Sequence, residues 1–170
     1  MNKIDYYITS FFGLGKTVPA PGTFGSLIGV LLWMTVDVAF PSKNFFLISS
    51  ILLVFFGISI RSCSKYISNL RHKDPSEVII DEIIAQFLVL FATQNIVNQF
   101  ISQNIFDSGL IYFYHIFISF VIFRFFDIRK PFFIKAIEKS CKKGFGIMID
   151  DIIAAIYTIL SIYLLSSFFF

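Results

Sequence analysis

The sequence has few charged residues for its length. Asp, Glu, Lys and Arg make up 15% of the 170 residues, whereas a soluble domain of this size is about a quarter charged. Hydrophobic residues make up 56%, and 24 residues are Phe, so a water-exposed surface would be hard to cover. The composition therefore predicts a single domain, residues 1–170, that lies in lipid.

Three further features are missing. The two cysteines, Cys63 and Cys141, are too few and too far apart for a disulfide framework or a CxxC metal site, so we expect both to be reduced and cytosolic. Residues 1–23 contain charges and two prolines where a signal peptide would have an apolar run and a cleavage site, so the first span should act as the targeting signal. No concentrated basic face with interleaved aromatic residues indicates a nucleic-acid partner.

Five nearly uncharged runs predict five membrane spans. They cover residues 24–40, 44–60, 83–106, 108–123 and 152–170. A bilayer-crossing helix needs about 20 apolar residues, so the second and fourth runs are short, and the third should leave the membrane near Asn95. A tight hairpin is expected at residues 41–44. We expect an all-α, compact, multi-helix integral membrane bundle of about five spans, with polar cytoplasmic connecting segments.

The basic residues predict how the bundle is oriented. Residues 1–23, 61–82 and 124–151 would share one side of a five-span protein, and they contain 13 of the 14 Lys and Arg residues. Lys43 is the exception. Because Lys and Arg collect in short cytoplasmic loops, these segments should face the cytoplasm.

A glycine-rich segment precedes the first span. Pro21, Gly22, Thr23 and Phe24 lead into Gly25 and Ser26. The backbone amides of a helix start bind anions, and glycine permits close approach, so residues 22–26 could hold a phosphate. The same residues also suit an ordinary helix start with a Thr or Ser cap, and spacing alone favours that interpretation.

Two acidic pairs lie where spans begin. Asp81-Glu82 precedes the third run and Asp150-Asp151 precedes the fifth, while Glu77 should share a helix face with Asp81. Each pair alone could simply complement a helix dipole. Carboxylates at a bilayer boundary are costly unless they are paired or bind a cation, and four oxygen donors on one membrane face suit Mg²⁺.

A third charged cluster follows the fourth run. Arg124 and Lys130 could neutralise phosphate charge, and Asp127 could be a metal ligand or a base. The alternative for the two cations is positive-inside anchoring, which does not explain Asp127. His115 should be a packed or interfacial side chain, Asp37 should reach water at the outer end of the first span, and the small residues Ala85, Ala154 and Ala155 should let the spans pack closely.

These blocks, in this order, resemble the phosphatidylglycerophosphatase A family. The matching segments are residues 12–15 with 21–26, residues 78–82, residues 123–128 with 130–131, and residues 144–151. The resemblance implies a Mg²⁺-dependent lipid phosphatase of the bacterial inner membrane that converts phosphatidylglycerophosphate to phosphatidylglycerol. Where the family often has glycine, this chain has Ala85, Lys143 and Ala155. Losing glycine at helix contacts or in a loop near the phosphate changes packing or substrate approach, so we expect these positions to affect the level of activity.

A mechanism follows as a hypothesis. Asp81, Glu82, Asp150 and Asp151 would hold Mg²⁺, with Asp127 completing the shell or activating water. The phosphate would be held by Arg124, Lys130 and the amides of residues 22–26. Attack by an aspartate, forming a phospho-enzyme, stays open.

Two alternatives to an enzyme remain. The first is a non-enzymatic membrane protein that binds or transports a cation, although carriers place ionisable groups near the bilayer midplane. The second is a soluble or peripheral helical domain whose apolar helices pack in a core and a dimer. The oligomeric state does not follow from the sequence.

Overall fold

The structure is a computed structural model that describes residues 3–40, 44–68, 75–103, 107–130 and 144–168. Every regular element within these residues is a helix, which confirms the all-α prediction. The helices are α1 (Lys3–Thr9), α2 (Leu14–Thr17), α3 (Pro21–Ala39), α4 (Phe45–Ser68), α5 (Ile80–Gln103), α6 (Ser108–Arg129) and α7 (Gly144–Ser166).

Five of these helices, α3 to α7, are long and apolar enough to cross a bilayer, as predicted. Their limits differ from the uncharged runs. Helix α5 begins at Ile80 and α7 at Gly144, so both acidic pairs lie inside helices, and α6 continues through its charged end to Arg129. Charges interrupt the hydropathy of a run but do not break the backbone hydrogen bonds of a helix, which explains the earlier starts.

Helix α5 is the centre of the bundle and packs against α3, α6 and α7. Small residues allow the close approach. A Cβ atom at Gly29 of α3 would lie 2.6 Å from the carbonyl oxygen of Ile83. On the other side of α5, Ala85, Ala154 and Ala155 are completely buried in one cluster. The expected packing role of these three alanines is confirmed.

Helices α1 and α2 pack at the end of the bundle where α5 begins. The backbone N–H of Ile79 donates to the carbonyl oxygen of Thr9 at 3.0 Å. Gly15 of α2 lies so close to the chain before α5 that a Cβ atom there would be 2.1 Å from the carbonyl oxygen of Glu77. The N-terminal segment therefore belongs to the same end of the molecule as the acidic pairs.

Helix α4 is held mainly at its C-terminal half, where the N–H of Gly144 donates to Ser64 Oγ at 3.1 Å. Its other half leaves an apolar cavity of about 340 Å³ against α3 and α5. Asn44 is the one polar residue in the cavity lining, and its side chain accepts from the N–H of Leu47 at the start of α4. This cavity suits hydrocarbon and offers no phosphate site. The rest of the predicted hairpin, residues 41–43, lies outside the described residues.

Candidate active site

Three carboxylates from two helices meet at one end of the bundle. Asp81 and Glu82 lie in the first turn of α5, and Asp151 lies in the second turn of α7. One oxygen from each carboxylate lies within 4.8 Å of the other two. Asp81 and Asp151 are buried. Because the dipole effect falls off within the first turn of a helix, it does not account for Asp151.

The oxygens of this cluster fit a bound cation. Glu82 Oε2 and Asp151 Oδ2 are buried and accept no hydrogen bond from the described residues. Such atoms are rare in folded proteins, and each is costly unless something binds it. Hard carboxylate oxygens on separate helices are the ligands that Mg²⁺ takes in phosphate-handling sites. The cluster Asp81, Glu82 and Asp151 is therefore a candidate divalent-metal site.

The start of α3 lies against this cluster. A Cβ atom at Gly22 would be 2.5 Å from Glu82 Oε1 and 3.1 Å from Arg124 Nη2, so only glycine fits without moving them. Pro21 begins the helix, and the N–H of Phe24 already donates to the carbonyl oxygen of Ala20. Within α3, the amides of Gly22 and Thr23 are the two that by position have no intrahelical acceptor.

Gly25 and Ser26, later in the glycine-rich segment, offer no free amide. The amides of Gly25 and Ser26 fall within the hydrogen-bond ladder of α3, and a Cβ atom at Gly25 would lie 3.0 Å from the carbonyl oxygen of Ile79. The hydroxyl of Ser26 donates to the carbonyl oxygen of Gly22 at 3.0 Å. The helix has no side-chain cap, so the predicted Thr or Ser cap is wrong.

Arg124 connects α6 to this site. Its guanidinium forms an ion pair with Asp127, and Nη1 lies 3.4 Å from Ser26 Oγ. Arg124 Nε is buried and has no hydrogen-bond acceptor among the described residues. Asp127 in turn lies within electrostatic reach of Glu82 and Asp151. One cation and a fourth carboxylate therefore border the three-acid cluster.

Lys130 and Asp150 form a second ion pair between α6 and α7. Lys130 is the C-cap of α6, in a left-handed conformation with φ 41° and ψ 59°, and its N–H donates to the carbonyl oxygen of Phe126 at 2.8 Å. Asp150 is not part of the group whose oxygens lie within 4.8 Å of one another. The four carboxylates expected to act together are thus divided into a cluster of three and a partner for Lys130.

Comparisons with known proteins identify the family of the chain. The family model described as phosphatidylglycerophosphatase A matches residues 7–166. The chain belongs to this family. Family membership confirms that the chain is an enzyme, a phosphoric monoester hydrolase.

The relatives span most of the chain. It is 34% identical over 152 residues to phosphatidylglycerophosphatase A of Haemophilus influenzae, which covers 89% of this chain and 82% of that protein. It is 28% identical over 145 residues to phosphatidylglycerophosphatase A of Escherichia coli, covering 85% and 73%. A Bacteroides thetaiotaomicron relative named as a putative phosphatidylinositol-3-phosphatase is 29% identical over 151 residues, covering 89% and 86%. No solved structure matches the chain.

Other sequence-based expectations for this family member have different outcomes. Glu77 precedes α5, and its carboxylate accepts from the hydroxyl of Tyr66, so the predicted helix face shared with Asp81 is wrong. Cys63 is a buried free thiol, as expected of a reduced cysteine. Cys141, and the segment 131–143 with Lys143, lie outside the described residues.

Two polar residues at the opposite end of the bundle are not part of the site. Asp37 is half-buried and accepts from Gln94 Nε2 at 2.8 Å and from the hydroxyl of Tyr112 at 2.9 Å, so it is bound within the bundle and does not simply face water. His115 is buried, as expected, with Nε2 2.8 Å from Thr93 Oγ1.

One buried residue on the helix of Asp81 and Glu82 was not predicted from the sequence. Gln86 is completely buried, and neither atom of its amide has a hydrogen-bond partner among the described residues. The signal that could have found it is its position, one helical turn after Glu82 in a run that is otherwise apolar as far as Phe91.

Proposed function

We propose that this family member is a Mg²⁺-dependent phosphatase that hydrolyses phosphatidylglycerophosphate to phosphatidylglycerol and phosphate in phospholipid biosynthesis. The reaction takes place at the cytoplasmic face of the bacterial inner membrane. The observation that carries this proposal is the convergence of Asp81, Glu82 and Asp151 beside Arg124 and the start of α3.

The charge of the site supports a metal requirement. The site contains five carboxylates and two cations, Arg124 and Lys130. Each cation is in an ion pair with one of the carboxylates. When all are ionised, three negative charges are left over. A phosphomonoester is itself anionic, so this site would repel its substrate unless a cation neutralised part of the charge. A divalent ion held by the three clustered carboxylates would reduce this excess to one negative charge.

The carboxylates of Asp81, Glu82 and Asp151 would hold Mg²⁺, the ion expected from their oxygen donors. When bound, the ion polarises a phosphoryl oxygen and stabilises charge in the transition state. Asp150 belongs to this proposal as the partner that orients Lys130, since the two form an ion pair.

The phosphate would be held by cations and helix-start amides. Arg124 presents its guanidinium between Asp127 and Ser26, and a planar guanidinium can bind two phosphate oxygens at once. The amides of Gly22 and Thr23 point outward from the start of α3, where the helix dipole favours an anion. Ser26 and Gly25 position this turn, and Lys130 supplies the second cation.

Asp127 is the best-placed general base. It is outside the cluster of three but within electrostatic reach of Glu82 and Asp151. In this assignment Asp127 takes a proton from the attacking water, the water oxygen bonds to phosphorus, and the phosphorus–oxygen ester bond breaks. The leaving glycerol oxygen takes a proton from water, and Asp127 releases to water the proton that it accepted. Attack by an aspartate would instead form a phosphorylated protein as an intermediate. Quenching the reaction in acid with substrate labelled in its phosphate would reveal label on the protein.

The orientation follows from the basic residues. The charged ends of α4 and α6 lie at the same end of the bundle as the acids, and the sequence places 13 of 14 basic residues in the segments that share this side. The positive-inside rule assigns that side to the cytoplasm. The acyl chains of the lipid stay in the bilayer, and only its headgroup reaches the site.

The test is phosphate release from phosphatidylglycerophosphate micelles by purified protein, with Mg²⁺ and with chelator. Asp81→Asn and Asp151→Asn should lower release by at least about a thousandfold, as expected for groups that act only as a unit. Asp37→Asn is the matched control, because it removes a carboxylate at the opposite end of the bundle. Undiminished release in both cluster variants would overturn the assigned roles.

Phosphatidylinositol 3-phosphate should be assayed in parallel, because one relative is named as a putative phosphatase for it. Preference for that lipid would replace the proposed substrate while keeping the mechanism. Metal binding without phosphate release from either lipid would overturn the proposed substrate and leave only the metal site standing.

A further inference from the structure

Gln86 is a buried amide on the helix that carries Asp81 and Glu82. It is one helical turn after Glu82 on α5, and residues four apart on a helix have Cβ atoms about 5–6 Å apart on the same face. Helical side chains lean toward the N-terminus of their helix, so the side chain of Gln86 leans toward Glu82 and the acidic end of the bundle.

The unpaired atoms around Gln86 are complementary in kind. Gln86 offers a donor, Nε2, and an acceptor, Oε1, and neither has a partner among the described residues. Glu82 Oε2 is a buried acceptor and Arg124 Nε is a buried donor. Neither atom has a hydrogen-bond partner among the described residues. Glu82 and Arg124 meet each other at Gly22. An amide that reached both groups could donate to the carboxylate and accept from the guanidinium.

The packing around Gln86 closes its side chain off from solvent. It is 0% exposed, and the absence of a side chain at Gly29 makes room for it, because a Cβ atom there would lie 3.1 Å from the Cβ of Gln86. An apolar residue at this position would leave fewer unpaired polar groups in the core. The amide therefore lowers the stability of the protein alone unless it gains partners in another state.

We propose that Gln86 is a positioning residue for the metal site, whose Nε2–H donates to Glu82 Oε2 once the acidic cluster is loaded. This inference rests on the proposed function, since it assigns Gln86 to the same site. The hydrogen bond would fix the rotamer of Glu82 and so hold its carboxylate beside those of Asp81 and Asp151. Groups that orient metal ligands in this way typically change metal affinity about 10- to 100-fold when they are removed.

The test measures Mn²⁺ binding to the purified full chain by electron paramagnetic resonance, without lipid, together with the melting temperature in chelator. Gln86→Met keeps the length of the side chain and removes the amide. It should weaken Mn²⁺ binding by about tenfold or more while leaving the melting temperature in chelator unchanged or higher. Gln86→Asn keeps the amide but shortens its reach, and should also weaken Mn²⁺ binding.

Gln94→Met is the matched control, because it makes the same change on the same helix. Gln94 Nε2 donates to Asp37 Oδ1, so this variant should melt at a lower temperature and bind Mn²⁺ like the wild type. A purely structural role for Gln86 would give this pattern for Gln86→Met as well, and would overturn the inference.

The two proposals fail in different ways. If the wild type and both Gln86 variants bind Mn²⁺ with equal affinity, Gln86 has no role in the metal site, and the proposed function still stands. A wild-type protein that binds no Mn²⁺ would overturn the metal site, and with it both proposals.

Discussion

Replacing Gly22 by alanine adds one carbon atom to the site and tests whether Glu82 and Arg124 need their observed positions. The added Cβ would lie 2.5 Å from Glu82 Oε1 and 3.1 and 3.2 Å from the two terminal nitrogens of Arg124. Ordinary contacts at a Cβ begin near 3.4 Å. The carboxylate must therefore move by about 1 Å, and a misplacement of that size can lower the rate of a reaction by about 10²-fold.

The fold should tolerate this change, because the atoms that must move are the ends of flexible side chains. Helix propensity favours alanine over glycine by up to about 1 kcal/mol, which offsets part of the crowding. We therefore expect Gly22→Ala to melt within a few degrees of the wild type while phosphate release from phosphatidylglycerophosphate falls about 10²-fold.

Gly57→Ala is the control for Gly22→Ala. Nothing lies within 4 Å of a Cβ atom at Gly57 in the middle of α4, so this variant should be slightly more stable, by about 0.5–1 kcal/mol, and fully active. A Gly22→Ala protein that keeps wild-type phosphate release would show that Glu82 and Arg124 do not need their observed positions.

Three further changes separate stability from chemistry. Gly144→Ala should destabilise the fold by about 1–3 kcal/mol in thermal melts, because the new Cβ would lie 2.3 Å from a backbone nitrogen in α4 that cannot turn away; a wild-type melting temperature would contradict this packing. Mg²⁺ at about a hundred times its dissociation constant should raise the free energy of unfolding of the wild type by about 2.7 kcal/mol relative to chelator. Asp151→Asn should lose this increase, and an equal increase in the variant would place the ion elsewhere. Lys130→Gly keeps the left-handed end of α6, which suits glycine, but removes the ion pair of the buried Asp150, so the variant should melt at a lower temperature. Its phosphate release, measured below that temperature, should fall about 10²-fold, and unchanged release would remove Lys130 from phosphate binding.

The sequence predicted the helical class and the five spans because both depend on local composition. Span limits were less accurate, since the uncharged runs stop at the acidic residues while the helices continue through them. Asp81 and Asp151 could be assigned to the same membrane face by counting spans. Which carboxylates share one point depends on how α5 and α7 rotate against each other, and hydropathy does not encode that rotation.

Two other outcomes depended on tertiary contacts. Asp150 and Asp151 are neighbours in the sequence, but successive residues on a helix point about 100° apart, so one faces Lys130 and the other faces the cluster. Glu77 does not share a helix face with Asp81, because the chain before α5 is a turn. Tyr66, a residue 11 positions earlier, donates a hydrogen bond to the Glu77 carboxylate there. Neither partner could be chosen from spacing alone.

The most direct measurement is the anomalous scattering of Mn²⁺ soaked into crystals of the full chain. A single peak about 2–2.3 Å from one oxygen each of Asp81, Glu82 and Asp151 is the predicted result. A peak at another place in the molecule, or none in crystals that diffract well enough to show these side chains, would contradict it.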